Sequence, residues 1–134
     1  MNESMKTENI ERYFQEIGKT AEKNVVYGYI DPKISQYMLW GAFASFKMKN
    51  YLIAFYPDEI VFVGITMMGK LSDEHFSIPK DEVESMTVKK GLIQYKIVIK
   101  ADGKKLPLKC NKKILGAPWQ KEHIAFLESV DWYQ

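Results

Sequence analysis

The run of residues that decides the fold class is Ile78-Pro79-Lys80-Asp81-Glu82-Val83-Glu84-Ser85-Met86-Thr87-Val88-Lys89-Lys90-Gly91. At the start of this run, Pro79 ends one predicted strand. The alternation over residues 82–89 predicts the next strand, which ends at the lysine-glycine turn. Other short strands and tight turns lie on both sides, with one amphipathic helix predicted before them and one after them. This order predicts a mainly β (α+β) protein, in which an antiparallel sheet or barrel is closed by a helix.

Further short strands are predicted around this run. They span residues 38–48, 51–56, 59–66, 75–78, 92–100 and 106–110. The clearest turn between them is Asp102-Gly103, because both residues tolerate the positive φ angles of a type I′ hairpin. Pro107 lacks an amide hydrogen and therefore favours an edge strand or a bulge. Residues 24–36 are predicted to be a connection that contains one short extended piece at residues 25–29.

A helix over residues 6–22 is predicted before the strands. Its apolar residues recur at spacings of three and four, which places them on one helical face. They are Ile10, Tyr13, Phe14, Ile17 and Ala21. Thr7 is a candidate cap for the beginning of this helix, and Gly18 is a candidate early end, because glycine weakens a helix interior.

A second helix is predicted after the last strand. Gly116, Ala117 and Pro118 open it, with Pro118 in the first turn, where its missing amide hydrogen is tolerated. The residues that share its apolar face are Trp119, His123, Phe126, Leu127 and Val130. A face of this kind packs on a sheet or closes an open barrel end.

The bulk composition predicts one globular domain spanning residues 1–134. Apolar residues make up 46% of the chain and charged residues 27%, which is ordinary for a protein with its own core. No apolar stretch approaches the length of a membrane-spanning helix, and the first residues lack the apolar segment of a signal peptide. The one cysteine, Cys110, excludes an internal disulfide and suits a reducing compartment. A cytoplasmic protein is therefore predicted.

Positive charge is concentrated in the later strands, although the net charge is only +2. Between residues 89 and 113 the one acid is Asp102, and the lysines are Lys89, Lys90, Lys96, Lys100, Lys104, Lys105, Lys109, Lys112 and Lys113. Such a surface attracts anionic lipid or phosphate diffusely, although a solvated sheet face is the simpler interpretation. The chain has a single arginine, Arg12, whereas base-edge and bidentate phosphate recognition depend on several guanidinium groups. No nucleic-acid partner is predicted.

The layout of about seven short strands closed by one helix resembles the pleckstrin-homology-like (PH-like) barrel, in particular its bacterial branch. Residues 51–64 look like the strand, turn and strand that open this barrel. Residues 78–91 are similar to its isoleucine-proline-acid-valine segment, and residues 97–105 look like its late hairpin. The resemblance covers about residues 38–130, so the N-terminal helix is an extra element. It implies a binding scaffold, for inositol phospholipids in some members and for proteins or peptides in many.

The predicted function is that of a non-catalytic binding module. Its partner is expected to be a protein, a second copy of this chain, or an anionic membrane surface. The candidate anion-contact residues are Lys47, Lys49, Lys89, Lys90, Lys104 and Lys105. The lysine-rich late hairpin is one candidate surface, and a self-association face on the helix at residues 6–22 is the other. No specific small molecule and no cofactor are predicted.

Motifs that would indicate an enzyme are incomplete. Residues 64–70 match the first seven positions of a phosphate-binding P-loop, but Leu71 stands where a serine or threonine must hold magnesium. His75, His123 and Cys110 do not have the spacing of metal ligands. His123 is interpreted as a packed core histidine and Cys110 as a core-facing thiol. The chain is therefore predicted not to be an enzyme.

One alternative belongs to a different class of protein. A helix followed by a curved sheet also resembles the cone-shaped fold of nuclear transport factor two, which often holds a ligand or an active site in an apolar pocket. Such a site needs convergent polar groups, of which His75 is a candidate. A C-terminal helix packed across a barrel end favours the PH-like interpretation. A cavity beneath the N-terminal helix favours the alternative.

Overall fold

The computed structural model describes residues 6–30 and 49–134. In chain order the elements are α1 (Thr7–Glu16), β1 (Val25–Ile30), β2 (Asn50–Phe55), β3 (Glu59–Ile65), β4 (Leu71–Pro79), β5 (Val83–Lys90), β6 (Gln94–Ala101), β7 (Lys104–Asn111) and α2 (Gln120–Ser129), with short turns of 3₁₀ type at Lys80–Glu82 and Asp131–Tyr133. In the described residues the protein is mainly β, with one helix before the strands and one after them, which confirms the predicted mainly β (α+β) class. The strand predicted over residues 38–48 lies outside the described residues.

The seven strands form one antiparallel sheet in the order β4-β3-β2-β1-β7-β6-β5. Its two edges are therefore β4 and β5, although only Lys80–Glu82 separates them in the chain. In a flat sheet these edges would lie about 29 Å apart, at about 4.8 Å for each strand spacing. The chain from Pro79 to Val83 spans at most about 14 Å. The sheet must therefore curl until its edges approach each other at this connection.

β1 is the middle strand of the sheet, a position that the sequence did not indicate. It pairs along its length with β2, whereas only Tyr29 and Ile30 pair with β7. The sheet therefore opens between β1 and β7 towards Val25. The predicted start of the sheet near residue 38 is too late, because the extended piece predicted at residues 25–29 belongs to β1, a strand of the sheet.

Buried side chains form two clusters, one on each side of the curled sheet. The larger cluster draws on all seven strands and so fills the inside of the curl, where α2 contributes Ile124 and Leu127. The smaller cluster lies on the outer side, where Ile10 and Phe14 of α1 pack with residues of β1, β2 and β3. β2 and β3 are therefore buried on both faces. This double burial explains their unbroken apolar sequences.

α1 ends at Glu16 rather than at residue 22, because Gly18 terminates it. Gly18 has a φ angle of +79°, in the left-handed region that glycine adopts without strain. The amide of Gly18 donates to the Gln15 carbonyl at 3.0 Å, and the amide of Lys19 donates to the Phe14 carbonyl at 2.8 Å. These two bonds are the Schellman termination of a helix. The prediction of Gly18 as an early end is confirmed.

Several predicted element boundaries are wrong. Thr7 is the first residue of α1 rather than its cap. α2 begins at Gln120, two residues after Pro118, because the Gln120 amide closes a turn with the Ala117 carbonyl at 3.1 Å. β4 spans Leu71–Pro79 and not only residues 75–78. Pro107 was predicted to lie at an edge or a bulge, but it lies in the interior strand β7, and its pairing with β6 has no bulge. The last described pair between β7 and β1 is Leu108 with Ile30, one residue before Pro107 is reached.

Gly28 marks a close approach of β1 to its neighbours. A Cβ atom there would lie 2.9 Å from Ile53 Cδ1, 3.0 Å from Cys110 Sγ and 3.3 Å from the Lys109 carbonyl oxygen. We expect Gly28→Ala to lower the free energy of unfolding in urea by about 1–3 kcal/mol, the usual cost of overpacking. Ile53→Val removes the nearest atom, so alanine should cost less in that background. A Gly28→Ala protein within about 0.5 kcal/mol of the wild type would contradict this packing.

Candidate functional site

The outer side of β5, β6 and β7 carries lysines that face one another across the strands. Lys89 lies directly opposite Lys96, and Lys96 lies opposite Lys109, so three lysines form a row across three strands. Lys100 and Lys105 form a second opposed pair. Directly opposed residues have Cβ atoms about 5 Å apart, and like charges at that spacing destabilise a sheet. We call the surface of Lys89, Lys96, Lys100, Lys105 and Lys109 the lysine face.

The strand alternation and one turn place these lysines outside the core. Tyr95, Ile97 and Ile99 of β6 are buried inside the curl, so the residues between them point to the outer side. Asp102 and Gly103 both have positive φ angles, 55° and 70°, as the predicted type I′ turn requires. This two-residue turn sets the register of β6 against β7 and therefore which of their lysines lie opposite each other.

Among the described residues, little negative charge lies beside Lys89, Lys96 and Lys105. The Glu84 carboxylate accepts a hydrogen bond from the amide of the β6–β7 turn at 2.9 Å, and its other oxygen lies 3.7 Å from Lys100 Nζ. Over residues 6–30 and 49–134, no carboxylate is within ion-pair distance of Lys89, Lys96 or Lys105. Water, salt or an anionic partner can relieve the repulsion between Lys89 and Lys96.

The structure divides the four lysines predicted on the late hairpin. Lys89 and Lys105 belong to the lysine face. Lys90 lies opposite Tyr95, and Lys104 opposite Ala101, so strand alternation turns both away from that face at exposed strand ends. Lys89 and Lys90 lie beside one end of β6, and Lys104 and Lys105 lie beside its other end. These ends are about 23 Å apart, the length of an eight-residue strand. The predicted hairpin surface is therefore not a single patch.

The other two candidate lysines precede β2. Lys49 is exposed, and its carbonyl accepts the Ile30 amide at 3.0 Å, which places it at the end of the sheet where β1 ends. β1 separates Lys49 from the lysine row on β5, β6 and β7. Lys47 lies outside the described residues.

Sequence reasoning missed Lys96, Lys100 and Lys109 as members of the site. The Asp102-Gly103 turn was recognised, and a two-residue turn there puts Lys96 opposite Lys109, so this pair could have been predicted. The pairing of Lys89 with Lys96 depends on the turn that joins β5 to β6. The sequence does not show the length of that turn.

Two polar side chains of α2 bond to the open edge of β1. Gln120 is fully buried, with Oε1 accepting the Tyr27 amide at 2.9 Å. Its Nε2 donates to the Tyr27 carbonyl at 2.9 Å and to the Asn111 carbonyl at 3.1 Å. The register of β1 and β7, if continued, would set Tyr27 against Asn111. Gln120 therefore bridges the two strands where the sheet opens, and sequence reasoning did not single it out.

His123 serves the same strand edge. Its Nδ1 lies 2.7 Å from the Val25 carbonyl oxygen, and because a carbonyl only accepts, Nδ1 carries the proton. The side chain is buried among packed residues, which confirms its interpretation as a core histidine. The contact of its Nδ1 with the Val25 carbonyl fixes the ring against β1.

Acid is expected to destabilise the protein through His123. Burial lowers the pKa of His123 from its ordinary value of 6.5, helped by Lys23 and opposed by the Val25 hydrogen bond and the Glu122 carboxylate. Because the unfolded state binds this proton more readily, stability should fall as the pH drops through 6.5 towards the folded-state pKa. His123→Asn keeps a donor but does not titrate, so it should lose this contribution in urea unfolding between about pH 8 and about pH 5. His75→Asn, at an exposed position, is the control, and a wild-type pH profile for His123→Asn would contradict the assignment.

The remaining chemical motifs do not form a catalytic centre in the described residues. Burial raises the pKa of Cys110 to about 12, so its thiol stays protonated and unreactive. The P-loop-like residues 64–70 end β3 and form a turn, closed by the Thr66 amide on the Lys70 carbonyl at 2.8 Å. A strand follows this turn, not the helix that phosphate binding requires. Over the described ranges, no group of three or more histidine, cysteine, aspartate or glutamate residues is placed to hold a metal ion.

An apolar groove of about 660 Å³ lies between the β3–β4 turn and the segment after β7. Its walls include Tyr27, Ile65, Met67, Ile114 and Leu115. Among the described residues that line this groove there is no carboxylate, imidazole or thiol. The groove therefore lacks the side chains that most often act as general acids and bases. A smaller groove of about 310 Å³ lies beside α1 and includes His123 in its wall.

Comparisons with protein-family models, with curated proteins and with solved structures found no match. Over residues 6–30 and 49–134, none of the helices has the length and apolar character needed to cross a membrane. Function therefore has to be inferred from the charge and geometry of the chain itself.

Proposed function

We propose that this chain is a non-catalytic interaction module with a PH-like, partly closed barrel, and that its lysine face docks on an anionic membrane surface. The sheet order, with its two edges joined by Lys80–Glu82, supports the barrel assignment. The packing of Ile124 and Leu127 of α2 inside the curl also supports it. Phe14 is fully buried beneath α1, which favours this proposal over the cone-shaped alternative.

The observation that carries the proposed target is the opposed pair of Lys89 and Lys96, both exposed and, among the described residues, with no carboxylate at ion-pair distance. Like charges in register cost folding stability, so an external anionic surface that neutralises them would account for their placement on one face. Near an anionic bilayer each lysine contributes about 1 kcal/mol, and the attraction falls off within a Debye length of about 10 Å at 0.1 M salt. Docking should therefore be weak, reversible and sensitive to salt.

The recognition is expected to depend on charge density rather than on one headgroup. The lysine face has no arginine, and lysine acts as a flexible point charge instead of a planar fork. The face should therefore accept any accessible anionic lipid. We place the protein in the cytoplasm, which the buried Cys110 thiol supports.

A protein partner is the second candidate. The helix predicted as a self-association face, α1, presents no apolar surface for a second copy. Ile10 and Phe14, the apolar residues of α1, are 4% and 0% exposed because they pack on the sheet. The exposed residues of α1 are polar or charged, and a second copy would find no apolar stripe there.

Sedimentation with lipid vesicles tests the proposal. We expect binding to vesicles of phosphatidylcholine with about 30% phosphatidylserine at low salt, loss of that binding at about 0.5 M salt, and no binding to pure phosphatidylcholine. Binding that is equal for both vesicles, or that survives high salt unchanged, would contradict charge-driven docking. Absence of binding at low salt would overturn the membrane target.

A further inference from the structure

Leu92 and Ile93 form an apolar tip on the turn between β5 and β6. Their side chains are 93% and 72% exposed. The Gly91 amide donates to the Gln94 carbonyl at 2.9 Å, and the Lys112 amide donates to the Ile93 carbonyl at 3.0 Å. A Cβ on Gly91 would lie 2.6 Å from the Gln94 carbonyl oxygen, so the turn requires glycine. The tip is therefore held by its own hairpin and by the segment after β7.

Lysines surround this tip. Lys89 and Lys90 lead into the turn, and Lys112 and Lys113 belong to the segment bonded to it. Lys112 Nζ lies 5.8 Å from the centroid of the Tyr95 ring, where its stem covers apolar surface. Apolar side chains with cations beside them suit the boundary of an anionic bilayer. The apolar side chains reach the acyl chains, and the cations stay with the phosphates.

We propose that Leu92 and Ile93 insert into an anionic membrane while the surrounding lysines contact its headgroups, an inference that rests on the proposed function. Lys89 belongs both to the lysine face and to this ring, so one bilayer can meet the end of the face and the tip together. A protein partner fits less well. A stable protein interface buries about 800 Å² on each side, far more than two side chains on one turn provide.

An environment-sensitive fluorophore on the tip tests insertion directly. Leu92→Cys provides the attachment site, and Cys110 should stay unlabelled because its thiol is fully buried with a pKa raised to about 12. With vesicles containing about 30% phosphatidylserine, we expect the emission of the label to shift to the blue and to rise about twofold or more. The same fluorophore on Lys104→Cys, at the far end of β6, is the control and should change little.

A second variant measures the contribution of the tip to binding. Leu92→Ser combined with Ile93→Ser removes the apolar side chains from exposed positions, so the fold should be unaffected. We expect vesicle binding to fall about tenfold or more, because each exposed side chain loses the gain from leaving water.

The outcomes separate this inference from the proposed function. If wild-type protein binds anionic vesicles while the tip label stays in water, or while the double serine variant binds as well as the wild type, insertion is wrong and charge-driven docking stands. If the wild type does not bind at all, the proposed function itself fails. A label at residue 104 that responds as strongly as the label at residue 92 would also overturn insertion by the tip.

Discussion

Replacing Gln120 with leucine is expected to lower the free energy of unfolding by about 3 kcal/mol or more. The leucine would leave the Tyr27 amide, the Tyr27 carbonyl and the Asn111 carbonyl without the partner that each now has. A buried backbone group that loses its partner costs about 1–3 kcal/mol. Two such groups belong to the half-buried Tyr27, and the carbonyl of the exposed Asn111 adds a smaller cost. Leucine is similar in volume, so lost packing does not account for the effect. Urea unfolding measures the change.

The control is Lys121→Leu, one residue along the same helix at an exposed position, which should stay within about 0.5 kcal/mol of the wild type. Gln120→Glu provides a second check. Its ionised carboxylate could still accept the Tyr27 amide but would face the Tyr27 and Asn111 carbonyls, so it should be less destabilising at acid pH. A Gln120→Leu protein as stable as the wild type would contradict the bridging role.

Charge reversal on the lysine face is expected to weaken vesicle binding and to strengthen the fold. Lys96→Glu combined with Lys105→Glu sets an acid opposite Lys89, Lys109 and Lys100. Each reversal removes one attraction and adds one repulsion, so the pair should cost about 4 kcal/mol of membrane attraction, or about a thousandfold in affinity at low salt. New opposed pairs of unlike charge should each add about 0.2–1 kcal/mol to the free energy of unfolding.

The matched control changes the net charge by the same amount elsewhere. Lys70→Glu combined with Lys121→Glu alters exposed positions on the β3–β4 turn and on α2. We expect its affinity for anionic vesicles to stay within about threefold of the wild type, because charges beyond a Debye length from the membrane are screened. Equal loss of binding in both double variants would mean that net charge alone, not the lysine face, drives docking.

Features of the fold that are set by a few adjacent residues were predicted correctly from the sequence. The Asp102-Gly103 turn, the alternation of β6 and the early end of α1 at Gly18 all follow from the chemistry of a few adjacent residues. The extended piece at residues 25–29 was predicted, but its place as the middle strand of the sheet was not, because its strand partners lie far along the chain. Residues 71–74 of β4 were missed because Asp73 and Glu74 are exposed, and charges at an edge conceal a strand pattern.

The candidate site depends on register more than on composition. The lysines of residues 89–113 were recognised together, but only pairing across three strands shows that Lys89, Lys96 and Lys109 share one face. A shift by one residue would turn these side chains to the other side of the sheet. Gln120 was missed for a related reason. An amide in a helix indicates nothing until the opening between β1 and β7 provides its partners.

Backbone amide resonances recorded during titration with lipid nanodiscs containing about 30% phosphatidylserine would locate the membrane-binding surface residue by residue. We expect shifts and broadening to concentrate on the lysine face of β5, β6 and β7 and on the turn at Leu92 and Ile93. The resonances of α1 and β4 should change little. Changes centred on α1 or β4, with β5 to β7 unaffected, would contradict docking through the lysine face.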